Sequence, residues 1–499
     1  MERHATDLPS ITPAERYDYN RITFWLNGKP LTADVPPAQT TLEFLQQNVR
    51  LYGTKCSCNE GDCGACTVTV ARPFEGAIFY EAVNSCLYSA AKLHGKHLIT
   101  VEGLGAPDNL HPIQQAMLDH HSTQCGYCSP GFVMSLFALL ASVAKPSEEQ
   151  ILAALEGNLC RCTGYESILK AARHLAENYA PGQIVPDWCR AIEPQLFTFK
   201  TPAEHVAVAN PPRRHCRTYL RPTSLEELDC LQAEHPQRVI VNGGTDIMVQ
   251  MNVQRKEYPV LLDLSGLPGL EQITFSPQGV RIGANVTYTD LQNSGIVRTD
   301  LPWLHQLAGQ IASRQIRNFA TLAGNIANAS PIGDTLPLLL VLDAQLLLRT
   351  AGGERTLPLR EFFLGYRQTA LREGEIILAV IVPRPARESF IRVTKAAKRK
   401  AVDISSVVTA VLIRCDGGIV RQAELALGGV APTPLLSRKF SNALLNMELG
   451  GLHPQEIGEF VACEFTPISD VRGTDKYRSL LISRQVRQYL EEFIGGGKP

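Results

Sequence analysis

The cysteines of this chain are the residues whose spacing most directly indicates chemistry. Nine of the fourteen lie between residues 56 and 162 of the 499-residue sequence. Where thiols stay reduced, clustered cysteines indicate a metal site rather than disulfides. Three of them have the spacing C-x4-C-x2-C, which is typical of a plant-type [2Fe–2S] cluster, and a fourth follows. The predicted ligands of this first cluster are Cys58, Cys63, Cys66 and Cys86.

Two features of the same loop bear on this ligand assignment. Cys56 lies two residues before Cys58 and is an alternative ligand. Only Cys58 gives the x4 spacing, so we expect Cys56 to pack beside the cluster as a bystander. Gly61 and Gly64 allow the tight turns that bring backbone N–H groups toward the cluster sulfurs. The loop therefore predicts a carrier of single electrons.

A second set of cysteines follows in a helical region. It consists of a C-x2-C pair and a C-x-C pair, each at a junction where helix N-termini stabilise thiolate charge. Taken alone, such a set suits zinc at least as well as iron. The neighbouring ferredoxin pattern favours a second [2Fe–2S] cluster, because an electron relay gains from another carrier and gains nothing obvious from zinc. The predicted ligands are Cys125, Cys128, Cys160 and Cys162.

Two glycine-containing motifs occur further along the chain. The sequence VNGGTDI (241–247) directly follows a predicted strand, and TLAGN (321–325) is followed by ASPIGD (329–334). Adjacent glycines let successive backbone N–H groups approach a pyrophosphate, while the second motif supplies amides, a hydroxyl and a carboxylate. No G-x-G-x-x-G fingerprint is present, which argues against a Rossmann site. Each motif alone is weak, because a Gly-Gly pair after a strand is most often only a turn.

The elements that would position these residues indicate a multidomain α+β protein. Strand, turn and helix patterns predict a ferredoxin-like β-grasp domain, then a four-helix domain. Alternating strands and helices next predict an α/β domain of non-Rossmann type and a C-terminal α/β domain. The expected boundaries are a disordered tail at 1–19, then domains at 20–97 and 98–179, a proline-rich linker at 180–213, and domains at 214–386 and 387–499.

Composition excludes several classes of function. Apolar residues make up 44% of the chain and the net charge is -1, so a nucleic-acid partner, which needs a basic surplus, is not expected. The N-terminus has no apolar stretch of the kind found in signal peptides. The most apolar run, residues 132–144, is too short to cross a membrane. We therefore expect a cytoplasmic protein with no membrane association.

Four segments together resemble the iron–sulfur part of the xanthine oxidase family of molybdenum hydroxylases. They are GTKCSCNEGDCGACTV (53–68), NSCL (84–87), QCGYCSPG (124–131) and NLCRCTGY (158–165). The two glycine motifs resemble the FAD domain of the same family, and the resemblance extends over residues 20–495. The chain departs from the family at Cys56 and Ser57, where a hydrophobic residue and a glycine are usual.

The resemblance implies which residues contact FAD. A lysine near the flavin edge is matched by Lys395, where a cation would stabilise negative charge on the reduced ring. Tyr366 matches a residue near the flavin face where nicotinamide docks, so these two are the candidates closest to the reaction. The further FAD contacts implied are Ile240, Val241, Asn242, Gly243, Gly244, Thr245, Asp246, Ile247, Thr321, Leu322, Ala323, Gly324, Asn325, Ser330, Asp334 and Ile377.

The resemblance also implies a function. Iron–sulfur and FAD segments on one chain look like the small subunit of bacterial two-subunit xanthine dehydrogenases. We expect electrons from hypoxanthine or xanthine to pass from a molybdenum cofactor on a large partner chain, through the two clusters, to FAD and on to NAD. The expected assembly is a dimer of heterodimers, and such a protein is an oxidoreductase and a flavoprotein of purine catabolism.

Three alternatives stay open from the sequence. The chain could serve another molybdenum hydroxylase of the family, acting on aldehydes, CO or N-heterocycles. It could be a flavin reductase that works without molybdenum. It could be a redox-sensing iron–sulfur protein, which the paired FAD motifs oppose. The sequence names neither the substrate of the partner nor the final acceptor, NAD or oxygen.

Overall fold

The computed structural model describes residues 20–74, 76–199, 216 and 218–496, and the backbone of 204–206. The predicted tail at residues 1–19 lies outside these residues. Four units follow one another along the chain, one of them helical and three of mixed helix and sheet, which confirms the multidomain α+β class. Among the described residues, no helix has both the length and the apolar character needed to cross a membrane.

A six-stranded sheet forms the first domain. Its strands run in the order β4-β3-β5-β1-β2-β6, and β6 joins from a later segment of the chain, parallel to β2. The predicted Asn27-Gly28 turn is present with φ of 47° and 87°, the left-handed pair that a two-residue hairpin requires. The elements are β1 (Asn20–Leu26), β2 (Lys29–Val35), α1 (Thr41–Glu43), a π-helical turn (Phe44–Asn48), β3 (Thr67–Phe74), β4 (Ala77–Asn84), a 3₁₀ turn (Ala90–Leu93) and β5 (His97–Ile99), with β6 at Glu204–Val206.

The second domain is helical and packs on the first. Its core is continuous with Trp25 and Ile99 of the sheet and is centred on α4, which is buried on nearly every side. Pro130 in the first turn of α4 is tolerated because that position has no intrahelical N–H partner to lose. The helices are α2 (Val101–Leu104), α3 (Pro112–Asp119), α4 (Ser129–Ser142), α5 (Glu148–Leu155), α6 (Glu166–Asn178), α7 (Pro181–Ile184) and α8 (Asp187–Thr198).

The prediction of an irregular linker from residue 180 is wrong for its first part. Helices α7 and α8 form there, with Pro181 and Pro186 at helix starts and Pro194 inside α8. Ile192 and Leu196 are buried against the helical domain, and this burial offsets the hydrogen bond that Pro194 cannot donate. The rest of the predicted linker lies largely outside the described residues.

The third domain contains two sheets. A three-stranded parallel sheet has the order β7-β9-β8, and a five-stranded antiparallel sheet has the order β10-β11-β16-β12-β13. The strands are β7 (Thr218–Leu220), β8 (Val239–Val241), β9 (Val260–Asp263), β10 (Ile273–Ser276), β11 (Gly279–Gly283), β12 (Gln345–Thr350), β13 (Gly353–Pro358), β14 (Phe363–Gly365), β15 (Gln368–Thr369) and β16 (Ile376–Val382). The helices are α9 (Leu225–Glu234), α10 (Thr245–Asn252), α11 (Tyr288–Asn293), α12 (Gly295–Asp300), α13 (Pro302–Ala308), α14 (Arg314–Arg317), α15 (Leu322–Asn328) and α16 (Leu336–Val341), with 3₁₀ turns at Leu264–Gly266 and Leu359–Glu361.

The fourth domain is an antiparallel sheet covered by a long helix. The strand order is β17-β18-β19-β20. Ile482, Val486 and Leu490 recur at helical spacing and are buried against β18 and β19, so one face of the last helix closes this core. The elements are β17 (Phe390–Ala396), β18 (Val407–Asp416), β19 (Ile419–Gly428), β20 (Leu435–Leu436), α17 (Arg438–Leu444), a 3₁₀ turn (Leu449–Gly451), α18 (Pro454–Ala462) and α19 (Asp475–Ile494).

The first domain shares a hydrophobic core with the third. Leu45 and Cys86 of the ferredoxin-like domain belong to the same buried cluster as Val241, Met248 and Leu261. The first domain also shares a core with the helical domain, so it packs against both of the other domains. This arrangement places the first cysteine loop centrally.

Candidate functional site

The first cysteine set lies in the loop after the π-helical turn and just after β4. Cys66 and Cys86 are buried, while Cys58 and Cys63 are half-buried. The backbone amide of Glu60 donates to Cys58 Sγ at 3.5 Å. The N–H groups of such a loop stabilise sulfur that carries negative charge, as iron ligation requires.

The four sulfurs form two pairs. A hydrogen bond with the Cys63 thiol lowers the pKa of Cys58 to about 4, and one with the Cys86 thiol lowers the pKa of Cys66. Two pairs of sulfurs suit two irons that take two thiolates each, whereas zinc takes four ligands around one point. The donor set therefore fits a dinuclear cluster.

The competing thiol of Cys56 is a hydrogen-bond partner in neither pair, although it lies close enough to Cys66 and Cys58 for their charges to act on it. It is exposed, and the Cys56 carbonyl accepts a hydrogen bond from the Tyr127 hydroxyl of the helical domain. The geometry favours Cys58 as the ligand, and that assignment stays a prediction with a direct test below.

The second cysteine set is also paired. Cys162 Sγ and Cys125 Sγ are 3.6 Å apart, and Cys128 forms a hydrogen bond with Cys160. Burial and the hydrogen bond with Cys160 raise the pKa of Cys128 to about 12. The amide of Tyr127 is the main cause of a lowered pKa at Cys125. The pairing again suits two irons better than one zinc.

The two cysteine sets meet at a tight backbone contact. The amide of Leu159 donates to the carbonyl of Cys63 at 3.0 Å, and the Asn158 side chain donates to the carbonyl of Gly64 at 3.1 Å. Gly64 has a φ of 66°, and a Cβ there would lie 2.3 Å from the Gly157 carbonyl oxygen. Only glycine permits this approach. Cys63, a predicted ligand of the first cluster, is thus hydrogen-bonded to Leu159, the residue directly before Cys160, a predicted ligand of the second cluster.

A buried glutamine of the third domain forms hydrogen bonds beside the contact between the two cysteine sets. Gln315 of α14 is 0% exposed, and its amide donates to Asn158 Oδ1 at 2.8 Å and to Ser135 Oγ at 3.0 Å. The Ser135 hydroxyl also donates to Asn158 Oδ1 at 2.7 Å. No motif in the sequence marked Gln315 or Ser135, because the contacts join residues far apart in the chain.

The first glycine motif forms a tightly packed loop between β8 and α10. A Cβ at Gly243 would lie 2.1 Å from the Phe319 carbonyl oxygen, and Gly244 has a φ of 86°. The Asn242 side chain donates to the Ala284 carbonyl at 2.6 Å. Thr245 and Asp246 form the first turn of α10, and Ile247 packs inward. Backbone amides at this glycine turn and helix start fit a pyrophosphate.

The second glycine motif lies beside the first. The carbonyl of Phe319 that contacts Gly243 is two residues before Thr321, the N-cap of α15, whose side chain accepts from the Gly324 amide at 3.1 Å. Asn325 Oδ1 accepts from the Thr335 hydroxyl at 3.3 Å, and Ser330 Oγ accepts from the Ile332 amide at 3.4 Å. Four predicted contact residues belong to the core of this domain: Ile240, Leu322, Ala323 and Ile377.

Lys395, which was predicted at the flavin edge, forms a buried ion pair with Asp334 of the second glycine motif. Lys395 Nζ lies 2.8 Å from Asp334 Oδ2, with side chains 6% and 11% exposed. Lys395 also donates to the Gln310 carbonyl at 2.8 Å, and the Ser405 hydroxyl donates to Asp334 at 2.6 Å. Lys398 instead donates to the Val471 carbonyl from an exposed position, as expected for a solvated basic run.

The other residue of the flavin edge lies on the β14–β15 hairpin. Tyr366 is 62% exposed. Its neighbour Arg367 lies 3.8 Å from Asp246 of the first glycine motif and donates to Asn328 Oδ1 at 3.3 Å. The hairpin therefore lies beside both glycine motifs, with the ring of Tyr366 exposed.

Two connections between the cluster and flavin regions were missed from the sequence. Asn252, at the end of α10, donates to the Cys86 carbonyl at 2.9 Å and to the Asn59 carbonyl at 3.1 Å. Lys92, six residues after Cys86, donates to the carbonyl of Gly243 at 3.2 Å. Neither lies in a recognisable motif, so no signal in the sequence could have found them.

Four family models match consecutive parts of the chain. They are "2Fe-2S iron-sulfur cluster binding domain" over residues 24–87, "[2Fe-2S] binding domain" over 100–173, "FAD binding domain in molybdopterin dehydrogenase" over 213–385 and "CO dehydrogenase flavoprotein C-terminal domain" over 392–493. These matches support FAD and two [2Fe–2S] clusters as the cofactors of the domains described above.

Curated relatives resemble nearly the whole chain. A xanthine dehydrogenase/oxidase of Rattus norvegicus is 31% identical in an alignment of 491 positions that covers 87% of this chain and 36% of that protein. A xanthine dehydrogenase of Emericella nidulans is 32% identical in an alignment of 487 positions that covers 87% of this chain and 35% of that protein. The chain thus spans little more than a third of the length of the curated relatives it matches.

Solved structures resemble a little over half of the chain. A carbon monoxide dehydrogenase from Hydrogenophaga pseudoflava has a TM-score of 0.52 and 30% identity, and the match covers 56% of this chain and 97% of that one. Quinoline 2-oxidoreductase from Pseudomonas putida 86 has a TM-score of 0.52 and 25% identity, and the match covers 56% of this chain and 98% of that one. The order of the domains, the paired cysteines and these relatives agree, and the chain belongs to the xanthine oxidase family of molybdenum hydroxylases, of which it carries the iron–sulfur and FAD-binding part.

Proposed function

We propose that this chain is the electron-transfer subunit of a xanthine dehydrogenase, receiving electrons from a molybdenum site and delivering them to NAD. One observation carries the order of the relay: the ferredoxin-like domain touches both neighbours through its cysteine ligands. The Cys63 carbonyl accepts from Leu159, next to Cys160, while the Cys86 carbonyl accepts from Asn252 of the flavin domain. Electrons therefore enter at Cys125, Cys128, Cys160 and Cys162 and pass Cys58, Cys63, Cys66 and Cys86 before FAD.

The entry point is the exposed side of the second cysteine set. Cys125 and Cys162 are exposed, and Tyr127 and Leu159 beside them are 47% and 51% exposed. Large apolar side chains left in water around a redox site favour a docking partner that covers them. We propose a large molybdopterin-binding chain there, in a dimer of heterodimers in the cytoplasm.

The exit point is the edge marked by Lys395 and Tyr366. The buried ammonium of Lys395 would stabilise negative charge on a reduced ring, and the exposed Tyr366 ring offers a stacking surface for nicotinamide. FAD, when bound, accepts single electrons and returns them as a pair, which suits hydride transfer to NAD.

Another molybdenum hydroxylase is the second candidate. The C-terminal domain matches the CO dehydrogenase flavoprotein model, and the solved structures that resemble this chain include CO dehydrogenase and quinoline 2-oxidoreductase. The curated relatives that align with most of the chain include xanthine dehydrogenases of several organisms beside an aldehyde oxidase, which favours a purine over CO or an N-heterocycle.

The test is anaerobic reduction of the purified complex. We would isolate the tagged chain with the partner that accompanies it, add hypoxanthine without oxygen, and record the visible bands of flavin and iron–sulfur clusters. Bleaching by hypoxanthine is the expected result. Bleaching by NADH alone would leave the relay in place and contradict the purine assignment, and bleaching by neither would contradict the relay.

A further inference from the structure

Lys92 belongs to the ferredoxin-like domain, but its ammonium group contacts residues of the flavin domain. The residue sits in the 3₁₀ turn Ala90–Leu93, and only 5% of it is exposed. Its Nζ donates to the carbonyls of Asn242 and Gly243, the latter at 3.2 Å, and lies 3.7 Å from Asp263 Oδ1. These three partners use all the donors of an ammonium group.

The carboxylate that balances this charge is itself held in place. Asp263, at the end of β9, is fully buried. It accepts hydrogen bonds from the Tyr219 hydroxyl and, at 2.9 Å each, from the amide and hydroxyl of Ser265. A buried charge is tolerated only when it is paired and hydrogen-bonded, and this pair meets both conditions. Asp263 therefore holds the Lys92 ammonium in one position.

The anchoring fixes the direction of two peptide groups. In a trans peptide, the C=O and the following N–H point to opposite sides. Because the carbonyls of Asn242 and Gly243 point toward Lys92, the amides of Gly243 and Gly244 point away from it. The Asn242 side chain is tied to Ala284, and Gly243 lies against the Phe319 carbonyl, so the loop has little freedom to turn over.

We propose that Lys92 is a positioning residue for the FAD pyrophosphate: by holding the two carbonyls, it turns the amides of Gly243 and Gly244 toward the phosphates. The inference rests on the proposed FAD site and goes beyond it, because it makes flavin binding depend on contact with the iron–sulfur domain. A cation of the ferredoxin-like domain would thereby strengthen the binding of FAD in the flavin domain.

Lys92→Met tests the proposal, with Lys96→Met as the matched control. Lys96 lies in the same domain, is half-buried, and donates to the Tyr88 hydroxyl at 2.5 Å instead of to the flavin loop. FAD would be removed from the full protein, and its rebinding would be followed by flavin fluorescence. We expect Lys92→Met to weaken FAD binding by about ten- to a hundredfold, the usual effect of losing hydrogen bonds from a charged donor, while Lys96→Met stays within about twofold.

A second readout separates positioning from general support. The ³¹P resonances of bound FAD report the surroundings of the pyrophosphate, and we expect them to shift in Lys92→Met and not in Lys96→Met. Asp263→Asn, which keeps the ammonium but loosens its anchor, should shift them the same way with a smaller loss of affinity. If Lys92→Met does not fold, Asp263→Asn still tests the proposal.

Three results would overturn the inference. One is wild-type FAD affinity with unshifted ³¹P resonances in Lys92→Met. Another is an equal loss in Lys92→Met and Lys96→Met, which would indicate general destabilisation of the domain contact. If the wild-type protein itself bound no FAD, the proposed function would fail and this inference with it, so the two failures are distinguishable.

Discussion

The main-chain amide of Leu159 donates a hydrogen bond of 3.0 Å to the carbonyl oxygen of Cys63. Leu159 precedes one predicted ligand of the second cluster, and Cys63 is a predicted ligand of the first. Electrons can therefore cross between the two domains over one hydrogen bond and a few covalent bonds. The contact exists because Gly64, where a Cβ would lie 2.3 Å from the Gly157 carbonyl oxygen, lets the two backbones meet.

Removing this donor should slow electron transfer between the clusters. Leu159→Pro lacks the amide proton, whereas Leu159→Ala keeps it and trims only a half-exposed side chain. We expect the proline variant to show slower flavin reduction after rapid mixing with substrate, with both clusters still visible by electron paramagnetic resonance. Equal rates in the two variants would show that the hydrogen bond carries no electrons.

The ligand assignment in the first loop is open to direct substitution. Cys58→Ala should lose the first cluster because Cys58 pairs with Cys63, and Cys56→Ala should keep full iron content because its thiol lies outside the pairs. Iron analysis of both purified variants checks this. The reverse pattern would move the ligand to Cys56.

The ion pair at the flavin edge should contribute to stability. Lys395→Met leaves the Asp334 carboxylate buried without its cation, a change that costs about 3 kcal/mol or more. For a domain of this size we expect the melting temperature to fall by about 6–12 °C. Lys398→Met, at an exposed position of the same basic run, is the control. The double variant Lys395→Met/Asp334→Asn should recover part of the loss, and a fall as large as in the single variant would argue against the pair.

Acid should remove the contribution of a second ion pair. Hydrogen bonds from Arg355, at 2.6 and 2.8 Å, hold the pKa of Glu375 below its ordinary value of 4.5. A lowered carboxyl pKa stabilises the fold at pH values above the ordinary one, and this stabilisation is lost as the pH falls through the folded-state pKa. The difference in melting temperature between wild type and Glu375→Gln should thus be largest near pH 7 and shrink below about pH 4.5. A difference that stays constant would contradict this origin.

The parts of the molecule that follow from local sequence were predictable. The Asn27-Gly28 hairpin depends on two left-handed residues, and the cysteine sets depend on spacing within short loops. Gly243 and Gly244 stood out for the same reason, since close backbone approach leaves room only for glycine.

Features that depend on distant contacts were not predictable. Helices α7 and α8 were hidden by prolines, because their stability comes from burying Ile192 and Leu196 against the rest of the helical domain. Lys92 and Gln315 carry no local signature at all. Each is defined by a partner far along the chain, at Gly243 and Asn158 respectively.

The central claim is a relay of two distinct clusters and one flavin within this chain. Anaerobic reduction of wild type and Cys162→Ser, followed by absorbance and electron paramagnetic resonance, tests it most directly. We predict two cluster signals and flavin bleaching in wild type, and in Cys162→Ser the loss of one signal, with flavin still reduced by NADH but no longer by substrate. A single cluster signal in wild type, with zinc bound at the second cysteine set, would contradict the account.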